Sequence, residues 1–248
     1  MHIVEHTPAG QVGLSASGLD QATELLSSAV RSGFIPGLVT AIYRGGQLVR
    51  VGWAGARNPD DPASPVERDT LFLIASLTKT VVCAGALLLL QEGAFALDQP
   101  ISLHLPEFAG HGKEQVLIRH LFTHTSGLCD QLPESPALRA RQAPLADFVR
   151  ATCASDLLFP PGTRVSYQSM GILMLAELVE RLTGLRLRDW LHDRLFVPLG
   201  MRDSTLGMPP SGMARAAYSL PAVFPAGSRD VGNDWNTTYW RALGNPWG

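Results

Sequence analysis

A serine and a lysine stand one helical turn apart in Ser76-Leu77-Thr78-Lys79. Positions i and i+3 share a helix face, so the hydroxyl and the amine can meet. A serine hydroxyl is a weak nucleophile until a neighbouring base takes its proton. An amine is that base only when neutral, a state favoured by burial and by the positive end of a helix. The same helix start offers backbone N–H groups to an oxygen that gains negative charge. The chemistry that fits is acyl transfer through a serine ester. Taken alone, the tetrad favours the plainer reading, an N-cap serine followed by a solvated lysine, and the rest of the chain has to decide.

The element that would carry the pair is an apolar helix. A hydrophobic run, Leu71–Ala75, leads into it, and the spacing predicts a helix from Ser76 to Glu92, closed by Gly93. Upstream, periodicity starts at Leu19, with Ser17 as the expected N-cap and Gly33 as the stop. Two β-rich runs follow, Leu38–Tyr43 and Gln47–Ala54, joined at Gly45-Gly46 as a hairpin. Residues 57–68, with Pro59, Pro62 and Pro65, are expected to form a loop. Downstream, residues 94–112 lack a period. Helices are expected over Val116–Thr123, Leu145–Ala154, Gly171–Leu182 and Leu187–Leu195. From Val197 onward the chain is rich in Gly, Pro, Ser and Asn and shows no period. Two strands followed by helices, without β-α-β alternation, predict an α+β fold rather than a doubly wound sheet. Two strands make a poor sheet, so further strands are expected.

The run Leu71-Phe72-Leu73-Ile74-Ala75-Ser76-Leu77-Thr78-Lys79-Thr80 resembles the nucleophile segment of serine β-lactamase-related proteins. That superfamily includes class C β-lactamases, penicillin-binding D,D-peptidases and family VIII carboxylesterases. The likeness continues in order. Gly93, Leu97-Asp98 and Pro100 resemble the family's turn after the helix, and Leu105-Pro106 follows. Ile118 to Leu128, containing His120 and His124-Thr125-Ser126-Gly127, is similar to its "LLTHTSGL" segment. Pro161-Gly162-Thr163 stands before Tyr167, and Pro198-Leu199-Gly200-Met201 resembles its "PLGM" turn. The resemblance covers roughly residues 19–205.

It implies a serine β-lactamase-like α+β domain across 1–248. Residues 1–70 would give a helix and the sheet hairpin, 71–205 a helical region with the motifs, and 206–248 an irregular end. The site would lie between sheet and helices. The implied function is serine-dependent hydrolysis. Ser76 attacks, and Lys79 and Tyr167 move the proton. The family's second motif is Y-x-N, whereas Tyr167-Gln168-Ser169 puts a shorter hydroxyl where the amide would contact substrate. That departure favours carboxyl esters over β-lactams, with D-amino-acid peptides third. The third motif, K-[ST]-G or H-x-G, is absent after Tyr167; His111-Gly112-Lys113 lies too early to serve. The tail to Asn245-Pro246-Trp247-Gly248 resembles the approach to "W-G-G", after which closing strands and one oxyanion donor are expected beyond Gly248. The missing motif also motivates a rival, a non-catalytic relative that binds a small ester or amide.

Other readings fare less well. Lys+Arg at 20 against Asp+Glu at 22 gives no basic surplus for nucleic acid. Three scattered cysteines, Cys83, Cys129 and Cys153, suit buried thiols in a reducing compartment. His120 and His124 have metal-like spacing but no third ligand, so neither metal nor cofactor is expected. The apolar run Val81–Leu90 falls well short of the ~20 residues of a membrane span. No signal peptide is visible at the N-terminus, so the expected location is cytoplasmic. Trp235, Tyr239, Trp240 and Trp247 form an aromatic cluster that could be core or pocket wall.

Overall fold

A computed structural model describes residues 1–219 and 235–248. They form two compact units. The first holds residues 1–73 with 210–219; the second holds 74–209 with the described residues up to 248.

The first unit is an antiparallel sheet with one helix. Strands β2 (Gly37–Arg44) and β3 (Gln47–Asn58) form the expected hairpin. Gly45 and Gly46 take φ of 57° and 76°, the left-handed pair that suits a tight hairpin turn. Two of the further strands lie in the N-terminal part of the chain, before and after the hairpin. β1 (His2–Glu5) pairs with β3 from His2↔Trp53 to Glu5↔Arg50. β4 (Asp61–Pro65) pairs with the far end of β3 in what was expected to be loop. β4 pairs at Ala56↔Pro65 and Asn58↔Asp61, and Pro65 fits an edge.

Helix α1 (Ala16–Arg31) is capped by Ser15, not Ser17; the Ser15 hydroxyl accepts from Gly18 N–H at 3.1 Å. Buried Arg50 of β3 ties the unit together. It reaches Glu5 of β1 at 2.7 Å and Asp20 of α1 at 2.8 Å, and donates to Thr23 at 2.9 Å. Further along, Leu71 N–H donates to Arg215 and its carbonyl accepts from Ala217 N–H.

The second unit is helical. α2 (Leu77–Gln91) packs on α6 (Ser169–Thr183), as does α3 (Ile118–Phe122). α6 is buried almost all round, from Met170 through Ala176 and again at Leu178 and Val179, so it is the centre of the core. α5 (Leu145–Ala154) matches its expected span, and Gly184 ends α6 in the left-handed conformation. The helix expected over Leu187–Leu195 divides into α7 (Leu187–Leu191) and a wider π turn, His192–Phe196. Trp190 of α7 donates to the Gly85 carbonyl of α2 at 3.1 Å, and a Cβ at Gly85 would lie 2.4 Å from Leu191.

Two short helices lie where no period was visible: α4 (Ser135–Ala140) and α8 (Thr238–Leu243), the latter capped by Thr237. Part of the expected irregular end, 220–234, lies outside the described residues. Trp240 and Trp247 are buried, and Trp247 packs on Phe148 with ring centres 5.6 Å apart, so they serve as core. Among the described residues no helix is long and apolar enough to cross a membrane.

Candidate active site

Ser76 sits at the start of α2 as an exposed N-cap residue whose own hydroxyl caps nothing. Its side chain is therefore free for another partner. That partner is Lys79, whose Nζ lies 3.0 Å from Ser76 Oγ. Lys79 is only 6% exposed, so the solvated-lysine reading of the tetrad fails. The residue before Ser76, Ala75, has φ of 44°, a left-handed conformation uncommon outside glycine. Such strain persists only where surrounding structure holds it, and it gathers at functional sites. Among the described residues, Ser76 N–H donates to no backbone carbonyl.

Tyr167 stands directly beside the pair, just before α6. Lys79 Nζ lies 4.9 Å from its ring centre, a cation–π arrangement. Among the described residues the Tyr167 hydroxyl hydrogen-bonds neither Ser76 nor Lys79; the ring face meets the amine. Tyr167 is half-exposed, and its ring centre lies 4.9 Å from that of His124, the two rings tilted by 42°.

Ser169 is placed differently from the expectation that it contacts substrate. It is buried at the first turn of α6, and its hydroxyl donates to Asp130 Oδ1 at 2.6 Å. The shorter side chain thus reaches a carboxylate of the neighbouring loop.

The segment 118–128 is joined to 158–168 by several bonds. Leu158 N–H donates to Gly127, Gly162 N–H to Thr125, and Ser166 N–H to His124. Gln168 is fully buried; its Oε1 accepts from Ser126 at 2.7 Å, and its Nε2 donates to His120 O. The two histidines are locked in one tautomer each. Nδ1 of His120 accepts from Leu117 N–H and Nδ1 of His124 from Gln168 N–H. A backbone N–H can only donate, so each ring carries its proton on Nε2. Burial holds both below the usual imidazole range; Lys79 adds to this at His124, and Arg119 at His120. No cluster of three metal-ligating side chains exists among the described residues. The cysteines are free, and burial pushes Cys83 and Cys153 up to about 11, so these thiols are protonated and inert near neutrality.

One partner of the site had no signature in the sequence. Lys79 Nζ also donates to the backbone carbonyl of Trp247. Gly248 follows with φ of 93°, so close to Ala75 that a Cβ there would lie 2.1 Å from its carbonyl oxygen. Only glycine fits that approach.

A strained turn, a serine at a helix start and a buried lysine in contact with it are thus brought together in the second unit. The Beta-lactamase family profile matches residues 22–247, and the chain belongs to that family. Esterase EstB of Burkholderia gladioli is 33% identical over 194 residues, 72% of this chain and 49% of the relative. The chain spans about half the length of the curated relatives it matches. A crystal structure of a family VIII carboxylesterase superposes with a TM-score of 0.78 at 22% identity, over 99% of this chain and 67% of the other. A class C beta-lactamase gives 0.71 at 25% identity, over 87% and 58%. The fold is thus the α+β serine β-lactamase fold, of a hydrolase family with esterase, β-lactamase and penicillin-binding relatives.

Proposed function

We propose that the protein is a serine hydrolase working through an acyl-enzyme on Ser76. The observation that carries this is the 3.0 Å contact between Ser76 Oγ and the buried Lys79 amine at a helix start. Lys79 takes the hydroxyl proton as Ser76 attacks the carbonyl carbon. The Ser76 N–H faces the developing oxyanion, and the proton then passes to the leaving group. Tyr167 shares that proton after its hydroxyl swings toward Lys79, a motion its exposure permits. Water then frees the acyl group, and no cofactor takes part.

Carboxyl esters are the preferred substrates. The likeness to an esterase supports this, as does Ser169, which is bonded to Asp130 and leaves no amide for a lactam. β-Lactam or D-amino-acid peptide cleavage is the alternative within the same chemistry, and a non-catalytic binder the alternative outside it. A fluorophosphonate probe separates them. Intact mass and peptide mapping should place one adduct on Ser76, and none on a Ser76→Ala variant. In the full-length protein that variant should lose on the order of 10⁶ in kcat for p-nitrophenyl acetate. Unchanged turnover in the variant would sink the assignment.

A further inference from the structure

We propose that Asn245 is a positioning residue that aims Lys79 at Ser76 by fixing the Trp247 carbonyl. This rests on the nucleophile reading above. Asn245 is 9% exposed, and its Oδ1 accepts from both Trp247 N–H and Gly248 N–H, each at 2.9 Å. One oxygen binding two successive N–H groups sets the orientation of the peptide between them. That peptide contains the Trp247 carbonyl, which accepts from Lys79 Nζ. Two further restraints act on the same short segment. Pro246 fixes its own φ and narrows the conformations open to Asn245. The Trp247 indole is 2% exposed and anchored on Phe148.

A lysine has a flexible four-carbon stem, so one contact with Ser76 does not hold it. With one N–H pinned by a fixed carbonyl, the nitrogen is held at a set position and its neutral amine's lone pair can turn to Ser76 Oγ. The side chain of Asn245 touches neither reacting atom; it acts through the Trp247 peptide. Its amide oxygen does what a backbone acceptor does in an Asx turn.

The test is the kinetics of Ser76 labelling by a fluorophosphonate, split into the binding constant KI and the limiting rate kinact. Misplacing a catalytic group by about 1 Å can lose ~10²-fold. Asn245→Ala should therefore lower kinact roughly 10- to 100-fold, with KI held within about threefold. Asn245→Asp keeps the acceptor oxygen and should recover kinact to within about fivefold. A purely structural role would lower the melting temperature without that split or that rescue. If Asn245→Ala does not fold, Asn245→Ser replaces it, since a hydroxyl makes the same turn more weakly. Serine should then label more slowly than aspartate. An unchanged kinact in Asn245→Ala, or in Asn245→Ser where that variant stands in, overturns the inference, as does a loss confined to KI or a failure of aspartate to rescue. If the unaltered chain does not label at Ser76, the nucleophile reading itself falls, and this inference with it.

Discussion

Among the described residues Lys79 meets groups that differ in kind: first the Ser76 hydroxyl, then the Tyr167 ring and last the Trp247 carbonyl. The first follows from helical spacing and could be read from four letters of sequence. The second was legible only through resemblance, because nothing in the chain between Ser76 and Tyr167 says that they meet. The third was illegible, since a backbone carbonyl belongs to every residue and carries no signature. Ser169 shows the converse. Its departure from the motif was visible, but its bond to Asp130 depended on a loop whose path the sequence did not specify.

If Lys79 and Tyr167 move one proton between them, their losses should not multiply. Lys79→Ala combined with Tyr167→Phe should be scarcely worse in kcat/KM than the poorer single variant. Losses that multiply would show two independent roles.

Among the elements, the long helices were the most legible and the short ones the least. α5 and the body of α2 carry a period that survives folding. β1 and β4 are too short for a pattern, and they are strands only because β3 offers each an edge. α4 and α8 are six residues each, below the length at which a period can be counted. The cap of α1 moved two residues because Ser15 and Ser17 are chemically equal candidates, and their hydroxyls lie 3.0 Å apart. Resemblance named the 118–128 segment without saying what it does. The structure shows it joined to the segment leading to Tyr167. Gly127 has φ of 85°, and a Cβ there would lie 2.2 Å from the Phe159 carbonyl oxygen. Gly127→Ala should therefore destabilise the second unit by about 1–3 kcal/mol, from backbone strain alone. Denaturant unfolding checks this, and a change below about 0.5 kcal/mol, within the range of ordinary surface substitutions, would show that the junction is slack.

For the molecule as a whole, the locked histidines set a pH dependence. His120 and His124 both titrate below an unfolded imidazole, chiefly because they are buried. A depressed folded pKa means the unfolded chain binds protons first as pH falls. Stability should be full above about pH 6.5, the unfolded value, and decline progressively below it. Lys79 adds to the lowering at His124, partly offset by Asp130, and Arg119 does so at His120, partly offset by Asp98. The melting temperature should fall between pH 7.5 and 5.5, and a His120→Gln, His124→Gln double variant should flatten that slope even if its plateau is lower. An equal slope in both proteins would place the acid sensitivity elsewhere.

The bond from Lys79 to the Trp247 carbonyl joins groups 168 residues apart. A ribosome adding about 5–20 residues per second needs roughly 10–30 s to pass from one to the other. During that interval the nascent chain already contains Ser76 and Lys79, yet the carbonyl that Lys79 bonds has not been made. The bond is thus among the last in the second unit that can form, and it waits on the synthesis of a single tryptophan peptide.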